Sequence, residues 1–158
     1  MQVKAEKMDD WKLFSTPAPL INMASRAFAR LGERRVKAFG FNIAQMPVLY
    51  LLRDGAAMSQ KELAHFARIE QPSMTQMLAR MERDGLIHRT PDPKDGRSSL
   101  VSLTEAAKAK LPAARKALHA NSTRVLAGFS QDEVATLVAL LQRLNENLDR
   151  EVAEDPAP

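Results

Sequence analysis

The 158-residue sequence contains no cysteine, which excludes disulfides, thiolate metal sites and thiol-based redox sensing. Aromatic residues make up only 5% of the chain, so aliphatic side chains and methionines must fill the core. No apolar run reaches the ~18 residues that a membrane-spanning helix needs, and the first residues carry no apolar signal segment. We therefore expect a cytoplasmic protein with no membrane partner.

The sequence also lacks the motifs of common enzymes and metal sites. Its three histidines, His65, His88 and His119, are isolated and do not form the HxxxH or HxH spacing that supports zinc binding. It has neither a glycine-rich phosphate loop nor a nucleophile elbow. We therefore expect no enzymatic activity, no metal and no cofactor.

Charge is distributed unevenly along the chain. The net charge is +4, with a pI of about 9.6, which suits a polyanionic partner without proving one. Residues 26–37 carry five basic side chains against one acidic side chain, whereas residues 146–158 carry five acidic side chains against one arginine. The placement of charge is therefore more informative than its total.

Helix start and stop signals recur along the first part of the chain. Pro17 is suited to the first turn of a helix that we expect to run to about residue 39 and to end at Gly40. Asn42 resembles the N-cap of a second helix that ends at Gly55, with Pro47 distorting its first turns.

The next helices have clearer boundaries. Ser59 and Glu62 have the spacing of a capping box for a short third helix that ends around Arg68. Pro72 fits the first turn of a fourth helix, which Gly85 ends.

The C-terminal third of the chain is predicted to be helical again. Thr104 is a credible N-cap for a long helix, which Pro112 should kink or break and which ends before Gly128. Ser130 and Glu133 form a second capping box, for the last helix.

The fourth predicted helix has one apolar and one polar face. Four apolar residues recur at i, i+3, i+4 and i+7, namely Met74, Met77, Leu78 and Met81. The opposite face carries groups that bond phosphates or base edges, namely Ser73, Gln76, Arg80 and Arg83. Ser73 also lies near the helix N-terminus, where backbone N–H groups attract phosphate. Taken alone, an amphipathic helix with a solvated face explains this pattern equally well.

A β-hairpin with a basic tip follows this helix at once. Residues 86–89 and 100–103 have strand composition, and the segment between them supplies turn residues: Pro91, Pro93, Asp95 and Gly96. Lys94 and Arg97 then lie on a projecting ribbon that can follow the DNA backbone or enter a minor groove. We expect Asp95 to hold Arg97 or brace the loop, because a carboxylate and a phosphate repel each other. A solvated hairpin tip is the alternative, but helix and hairpin together favour a winged helix-turn-helix that binds DNA.

Specific motifs occur in order along this region: Leu63-Ala64, Pro72-Ser73, Glu82-x-x-Gly85-Leu86-Ile87, Asp95-x-Arg97-Ser98 and Leu103-Thr104. This series resembles the MarR family of winged-helix bacterial transcription regulators, and the likeness extends over residues 15–150. The resemblance implies a homodimer on an approximately palindromic operator in double-stranded DNA, with residues 70–84 in the major groove and the wing in the minor groove. The expected DNA contacts are Ser59, Ser73, Thr75, Gln76, Arg80 and Arg83 from the helices, and Lys94, Arg97 and Ser98 from the wing.

The terminal helices carry apolar stripes that a DNA-binding lobe does not need. A near-heptad series in the last helix would bury itself against another helix: Val134, Leu137, Leu141, Leu144 and Leu148. Leu20 belongs to the corresponding stripe of the first helix. Packing of the last helix on the first within one chain is the alternative, whereas the resemblance favours intertwined helices from two subunits. Such a dimer would place the fourth helices of its two subunits about 34 Å apart, which is one turn of DNA.

The expected fold is therefore mainly α with a small β-hairpin wing, a winged helix-turn-helix joined to a helical dimerisation region. The expected divisions are a flexible N-terminus (1–14), a dimerisation helix (15–40), the winged helix-turn-helix DNA-binding domain (41–103), dimerisation helices (104–150) and a flexible acidic tail (151–158). The predicted function is a homodimeric transcriptional repressor. By resemblance, a small aromatic acidic effector releases this repressor from DNA. The sequence does not identify the residues that bind the effector. The alternative is a winged-helix module for protein contacts without a specific DNA target.

Overall fold

The computed structural model describes residues 14–155. Its six α-helices are α1 (Pro17–Val36), α2 (Met46–Leu51), α3 (Gln60–Ala67), α4 (Gln71–Arg83), α5 (Glu105–Val125) and α6 (Gln131–Glu154). Its strands are β1 (Met58–Ser59), β2 (Ile87–Asp92) and β3 (Asp95–Leu103). The predicted fold class, mainly α with a small β-wing, is confirmed. The chain forms two compact units, which divide between His119 and Ala120 within α5.

The segment predicted as one second helix is divided into three pieces. Two 3₁₀ turns, Ile43–Gln45 and Arg53–Gly55, flank the short α2. Pro47 has no N–H to donate to the Ile43 carbonyl, and Met46 donates to that carbonyl instead, as in a 3₁₀ turn. The predicted N-cap at Asn42 is confirmed, because its side chain accepts the Ala44 N–H at 2.8 Å. Pro47 thus distorts the start of this helix as expected.

Both predicted capping boxes are present. At the start of α3 the Ser59 hydroxyl accepts the Glu62 N–H at 3.2 Å, and the Glu62 carboxylate accepts the Ser59 N–H at 2.8 Å. Ser130 and Glu133 make the same reciprocal pair at the start of α6, at 3.1 and 2.8 Å. Each pair satisfies two backbone donors that a helix start leaves free, which is why both sequence signals located the helix start correctly.

The three strands form an antiparallel sheet in the order β1-β3-β2. The two-residue strand β1 was not predicted; in it Met58 pairs with Val101. The turn is shorter than predicted, because β2 extends to Asp92 and β3 begins at Asp95. Asp95 and Gly96 therefore lie in a strand, as does Pro91, which pairs with Ser99. Proline is tolerated there because β2 is an edge strand, so no neighbour requires its missing N–H.

Pro112 was expected to kink or break this helix, and the break does not occur, because α5 continues through Pro112 from Glu105 to Val125. Pro112 lies on the exposed side of the helix, where the Lys108 carbonyl that loses its partner can bond water. The predicted N-cap is confirmed, because the Thr104 hydroxyl accepts the Ala107 N–H at 3.3 Å. The same hydroxyl donates to the Gly85 carbonyl at 2.7 Å, joining the start of α5 to the end of α4.

The core of the first unit lies beneath the sheet and α4. Met74, Leu78 and Met81 are fully buried, and Met77 packs partly buried against the same cluster, as the apolar face predicted. Val101 and Leu103 of β3 are also fully buried in it. Burial of this face fixes which side of α4 points outward.

The last helix, α6, runs to Glu154, so the beginning of the predicted tail (151–158) is helical. The predictions for residues 1–13 and 156–158 lie outside the described residues. Between residues 14 and 155, no helix combines the length and apolarity that crossing a membrane requires.

Candidate nucleic-acid interface

Helices α3 and α4 form a helix-turn-helix pair linked by a side-chain hydrogen bond. The Gln60 amide at the start of α3 donates to the Thr75 hydroxyl at 2.6 Å, and that hydroxyl donates to the Gln71 carbonyl at 2.9 Å. Thr75, an expected DNA contact, is exposed, but its proton and one acceptor site are used within the protein. Gln60 was not predicted, because its partner lies 15 residues away on another helix and no local pattern connects the two.

The outward face of α4 presents the predicted polar side chains. Ser73, Gln76 and Arg80 are exposed, and none of the three makes a hydrogen bond or ion pair within the described chain. Exposed polar side chains without a partner in the protein bond water, and a ligand can replace that water. Their donors are therefore available for phosphates and base edges. Arg83 is exposed too, but its Nε lies 3.0 Å from the Asp84 carboxylate. The four residues therefore lie on one face of α4, and three of them have no hydrogen-bond or ion-pair partner within the described chain.

A groove runs beside this face. It has a volume of about 460 Å³, and its walls are the segment just before α2 and the outward face of α4. Its polar lining includes Asn42, Gln45, Ser73, Gln76 and Arg80. A small molecule in the groove would touch the same side chains that are free to contact DNA.

The wing tip is held by two carboxylates. Asp92 accepts the Lys94 N–H at 2.9 Å, and Asp95 accepts the Arg97 N–H at 3.0 Å. Asp95 therefore braces the loop backbone, which is one of its two expected roles, while the Lys94 and Arg97 side chains are exposed. Lys94 lies in the turn and Arg97 near the start of β3, so both side chains project from the tip of the hairpin. Ser98 lies half-buried in β3.

An ion pair joins the base of the wing to α4. Arg89 Nε in β2 lies 2.8 Å from the Glu82 carboxylate, and the Arg89 side chain is half-buried. This pair was not predicted, although it links the two elements that the DNA hypothesis requires to act together. It connects β2 of the wing with the last turn of α4.

Ser59 occupies a different position from the other predicted contacts. Its hydroxyl and its backbone N–H are both bonded to Glu62. The hydrogen bond from the Ser59 N–H, helped by the Ser59 hydroxyl, lowers the pKa of Glu62 below its ordinary value. Ser59 therefore acts as a helix cap, and the residue is half-buried.

The predicted dimerisation residues lie on α1 and α6. Leu20 in α1 is half-buried, as are Val134 and Leu144 in α6, whereas Leu137, Leu141 and Leu148 are exposed by 39%, 37% and 51%. Val138, Leu140 and Val152 are exposed as well. By helical spacing the eight positions on α6 form one apolar stripe, which is wider than the near-heptad pattern predicted.

This chain is similar to known proteins in both sequence and fold. The MarR family profile matches residues 41–99. The transcriptional activatory protein BadR of Rhodopseudomonas palustris is 31% identical over 144 residues, which cover 82% of each chain. A cysteine-to-serine mutant of E. coli MarR, in complex with operator DNA, is 28% identical with a TM-score of 0.74, covering 86% of this chain and 98% of that one.

The repressor CouR, bound to a 23-mer DNA duplex, is 25% identical with a TM-score of 0.79, covering 89% of this chain and 99% of that one. Each of these likenesses covers at least 82% of this chain. The helix-turn-helix with its braced wing, together with these relatives, shows that the chain belongs to the MarR family of DNA-binding transcriptional regulators.

Proposed function

We propose that the protein is a cytoplasmic homodimer that binds a palindromic operator in double-stranded DNA and represses transcription from it. The observation that carries this proposal is the outward face of α4, where Ser73, Gln76 and Arg80 have no partner within the described chain. The width of a major groove admits one helix, and the wing carries Lys94 and Arg97 to the neighbouring backbone or minor groove.

Dimerisation is supported by the composition of α6. The helix has no buried residue, although it carries a stripe of leucine and valine. Exposed apolar stripes of this kind are energetically unfavourable in water and mark contacts with another helix. A second copy of the chain is the occupant that also explains function, because two half-sites read together bind far more tightly than one.

Repression is proposed because CouR, a DNA-bound relative, is described as a repressor. BadR is described as activatory, so a reporter gene under the operator distinguishes the two directions. Higher expression after deletion of the gene supports repression, and lower expression contradicts it.

A small acidic effector is proposed to release the protein from DNA through the groove beside α4. Arg80 supplies a positive charge there, and Gln76 and Ser73 supply hydrogen-bond donors. The carboxylate of the lining, Asp84, lies 3.0 Å from Arg83 Nε, which offsets its charge. A molecule held by these groups would compete with DNA for them directly. Titration of aromatic carboxylates into the free protein tests this, since their binding should be weakened in Arg80→Ala.

The main experiment is a fluorescence titration of the DNA that flanks the gene, repeated at increasing salt. Neutralisation of about six to ten phosphates should reduce affinity by ~10³–10⁵ between 50 and 200 mM salt. Arg97→Ala should weaken binding and leave the oligomeric state unchanged. Binding that is absent or insensitive to salt would instead indicate a winged-helix module for protein contacts, and unchanged affinity in Arg97→Ala would refute the role of the wing.

A further inference from the structure

The first turns of α3 and α4 meet in a cluster of three polar side chains, Gln60, Gln71 and Thr75, which we call the glutamine cluster. Gln60 is the first residue of α3 and is half-buried, whereas Gln71, the first residue of α4, and Thr75, one turn later, are exposed. The Gln60 Nε2 atom lies 2.6 Å from Thr75 Oγ1 and 3.4 Å from Gln71 Oε1. One amide group of α3 thus contacts two side chains of α4.

Thr75 determines which way the Gln60 amide is turned. A hydroxyl group has a single proton, and Thr75 donates its proton to the backbone carbonyl of Gln71 at 2.9 Å. The Thr75 oxygen can therefore only accept from Gln60, so Gln60 turns its NH₂ group and not its carbonyl oxygen toward α4. That NH₂ group has a second proton, and Gln71 Oε1 is the acceptor that lies within its reach.

The two ends of the Gln71 amide therefore differ. Oε1 is drawn toward α3 by the bond from Gln60, whereas Nε2 makes no hydrogen bond among residues 14–155. Because the Gln71 side chain is exposed, its two Nε2 protons are available to a ligand. A ligand that contacts Gln71 thus meets hydrogen-bond donors.

Gln71 lies where a recognition helix contacts bases. The N-terminal residues of such a helix reach base edges in the major groove, and Gln71 is the first residue of α4. By helical spacing Gln71 and Thr75 lie on the flank of α4 next to α3, whereas Ser73 and Arg80 lie on the other flank. Gln71 was not among the expected DNA contacts, and at this position it would meet a different base from Arg80.

We propose that Gln71 recognises an operator base as a hydrogen-bond donor only and that Gln60 imposes this restriction. The proposal rests on the proposed operator binding. A free glutamine pairs with adenine, because its oxygen accepts from N6 while its nitrogen donates to N7. Guanine presents two acceptors, N7 and O6, which match the two Nε2 protons of Gln71. Gln60 therefore changes the preference at this base from adenine to guanine.

The test uses an operator duplex, which footprinting on the DNA that flanks the gene supplies. Each base pair of one half-site is replaced by the other three, and the affinities are measured by fluorescence titration. Gln71→Ala identifies the contacted base, as the position where the preference of the parent disappears. There the parent should bind guanine about tenfold more tightly than adenine. A parent that prefers adenine, or a Gln71→Ala protein that loses affinity equally for all duplexes, as at a phosphate contact, would overturn the proposal.

Two substitutions of Gln60 should shift this preference in defined directions. Gln60→Ala frees Gln71 Oε1, so the ratio of guanine to adenine affinity should fall by about tenfold. Gln60→Glu places an acceptor opposite Gln71, which should then turn its NH₂ group toward α3 and its oxygen toward the base. Bases with a donor, cytosine and adenine, should then gain relative to guanine. Loss of the link between α3 and α4 alone would weaken all duplexes alike, so unchanged ratios in both variants would overturn the role of Gln60.

Gln76 is the matched control, because it is an exposed glutamine of α4 without a partner in the described chain. The base preference that Gln76→Ala abolishes should be the same in the parent and in Gln60→Ala. A change there would indicate a general shift of α4 and would overturn the local role of Gln60. Urea denaturation shows whether each variant is folded, and either variant of Gln60 suffices if the other is not.

Failure of this inference is distinguishable from failure of the proposed function. A parent that binds no duplex would refute the proposed function, and recognition by Gln71 with it. A parent that binds the operator, with base preferences that substitution of Gln60 does not alter, would refute this inference alone.

Discussion

The Glu33 carboxylate of α1 accepts the backbone N–H of Ile43 at 2.8 Å, and the preceding residue, Gly32, packs directly under the Ile43 side chain. Together the two contacts hold the second half of α1 against the 3₁₀ turn Ile43–Gln45 that precedes α2. The carboxylate also satisfies a donor at the start of a 3₁₀ turn, where no intrahelical acceptor exists. A movement of α1 would therefore be transmitted to α2 through Ile43.

Replacement of Gly32 tests how tight this junction is. A Cβ on Gly32 would lie 2.5 Å from Cδ1 and 2.8 Å from Cγ1 of Ile43, closer than atoms pack. Overpacking costs about 1–3 kcal/mol, and the higher helix propensity of alanine returns up to about 1 kcal/mol. We expect Gly32→Ala to lower the free energy of unfolding by about 1–2 kcal/mol, measured by urea denaturation.

Gly96→Ala is the control for this prediction, because nothing lies within 4 Å of the added methyl group. It should leave stability nearly unchanged. Ile43→Val removes the closer of the two clashing atoms and should restore part of the loss in the double variant. A Gly32→Ala protein as stable as the parent would contradict the tight contact.

Ser59 and Ser73 should separate stability from DNA binding. The Ser59 hydroxyl caps α3 through Glu62, and loss of such a cap costs about 1 kcal/mol. The exposed Ser73 hydroxyl makes no bond within the described chain. We expect Ser59→Ala to lower the free energy of unfolding, and Ser73→Ala to weaken DNA binding at unchanged stability.

Urea denaturation and a DNA titration on both serine variants give the four values needed. The reverse pattern, with a stable Ser59→Ala that no longer binds DNA, would show that Ser59 acts as a DNA contact and not as a cap.

The capping boxes explain why so much of the fold is predictable. Ser59–Glu62 and Ser130–Glu133 each lie within four residues, so the sequence displays donor and acceptor together. The apolar face of α4 is equally local, because helical spacing alone places its residues on one side. Helix starts, the buried face of α4 and the wing could therefore be recognised before any coordinates.

Features that depend on distant parts of the chain could not. Strand β1 is two residues long and has no periodicity of its own; it exists because β3 offers it an edge. The bonds from Gln60 to Thr75 and from Arg89 to Glu82 also depend on how separate elements pack. The packing of separate elements brings such pairs together, and the residue types alone do not predict them.

The low pKa of Glu62 predicts a contribution to stability that acid removes. Because the hydrogen bonds from Ser59 favour the charged carboxylate in the folded protein, the pKa is lower in the folded state than in the unfolded chain. The contribution is therefore present above the unfolded pKa of about 4.3 and is lost as the pH falls through the lower folded value. We expect the stability advantage of the parent over Glu62→Gln to shrink in that acidic range.

The measurement is urea denaturation of both proteins at pH values on either side of about 4.3. Glutamine can still accept the Ser59 N–H, so the variant should fold and keep the cap. Glu154→Gln, near the exposed end of α6, is the control for loss of a charge without a capping bond. A difference between parent and Glu62→Gln that does not vary with pH would contradict the assigned role of the carboxylate.

The apolar stripe of α6 gives the last prediction. Leu141 is 37% exposed at the centre of the stripe, and Ala139 lies on the opposite side of the helix by its spacing. Burial of an unpaired carboxylate in a helix contact is strongly unfavourable, and a two-fold dimer repeats the cost on both subunits. We expect Leu141→Asp to weaken dimerisation by at least about 100-fold, measured by sedimentation velocity, whereas Ala139→Asp should remain dimeric.

Circular dichroism should show helix content retained in both, because α6 buries no residue in the described chain. DNA affinity should fall only for Leu141→Asp, since a monomer reaches one half-site at a time; a Leu141→Asp protein that sediments as the parent does would show that this stripe is not the contact between subunits.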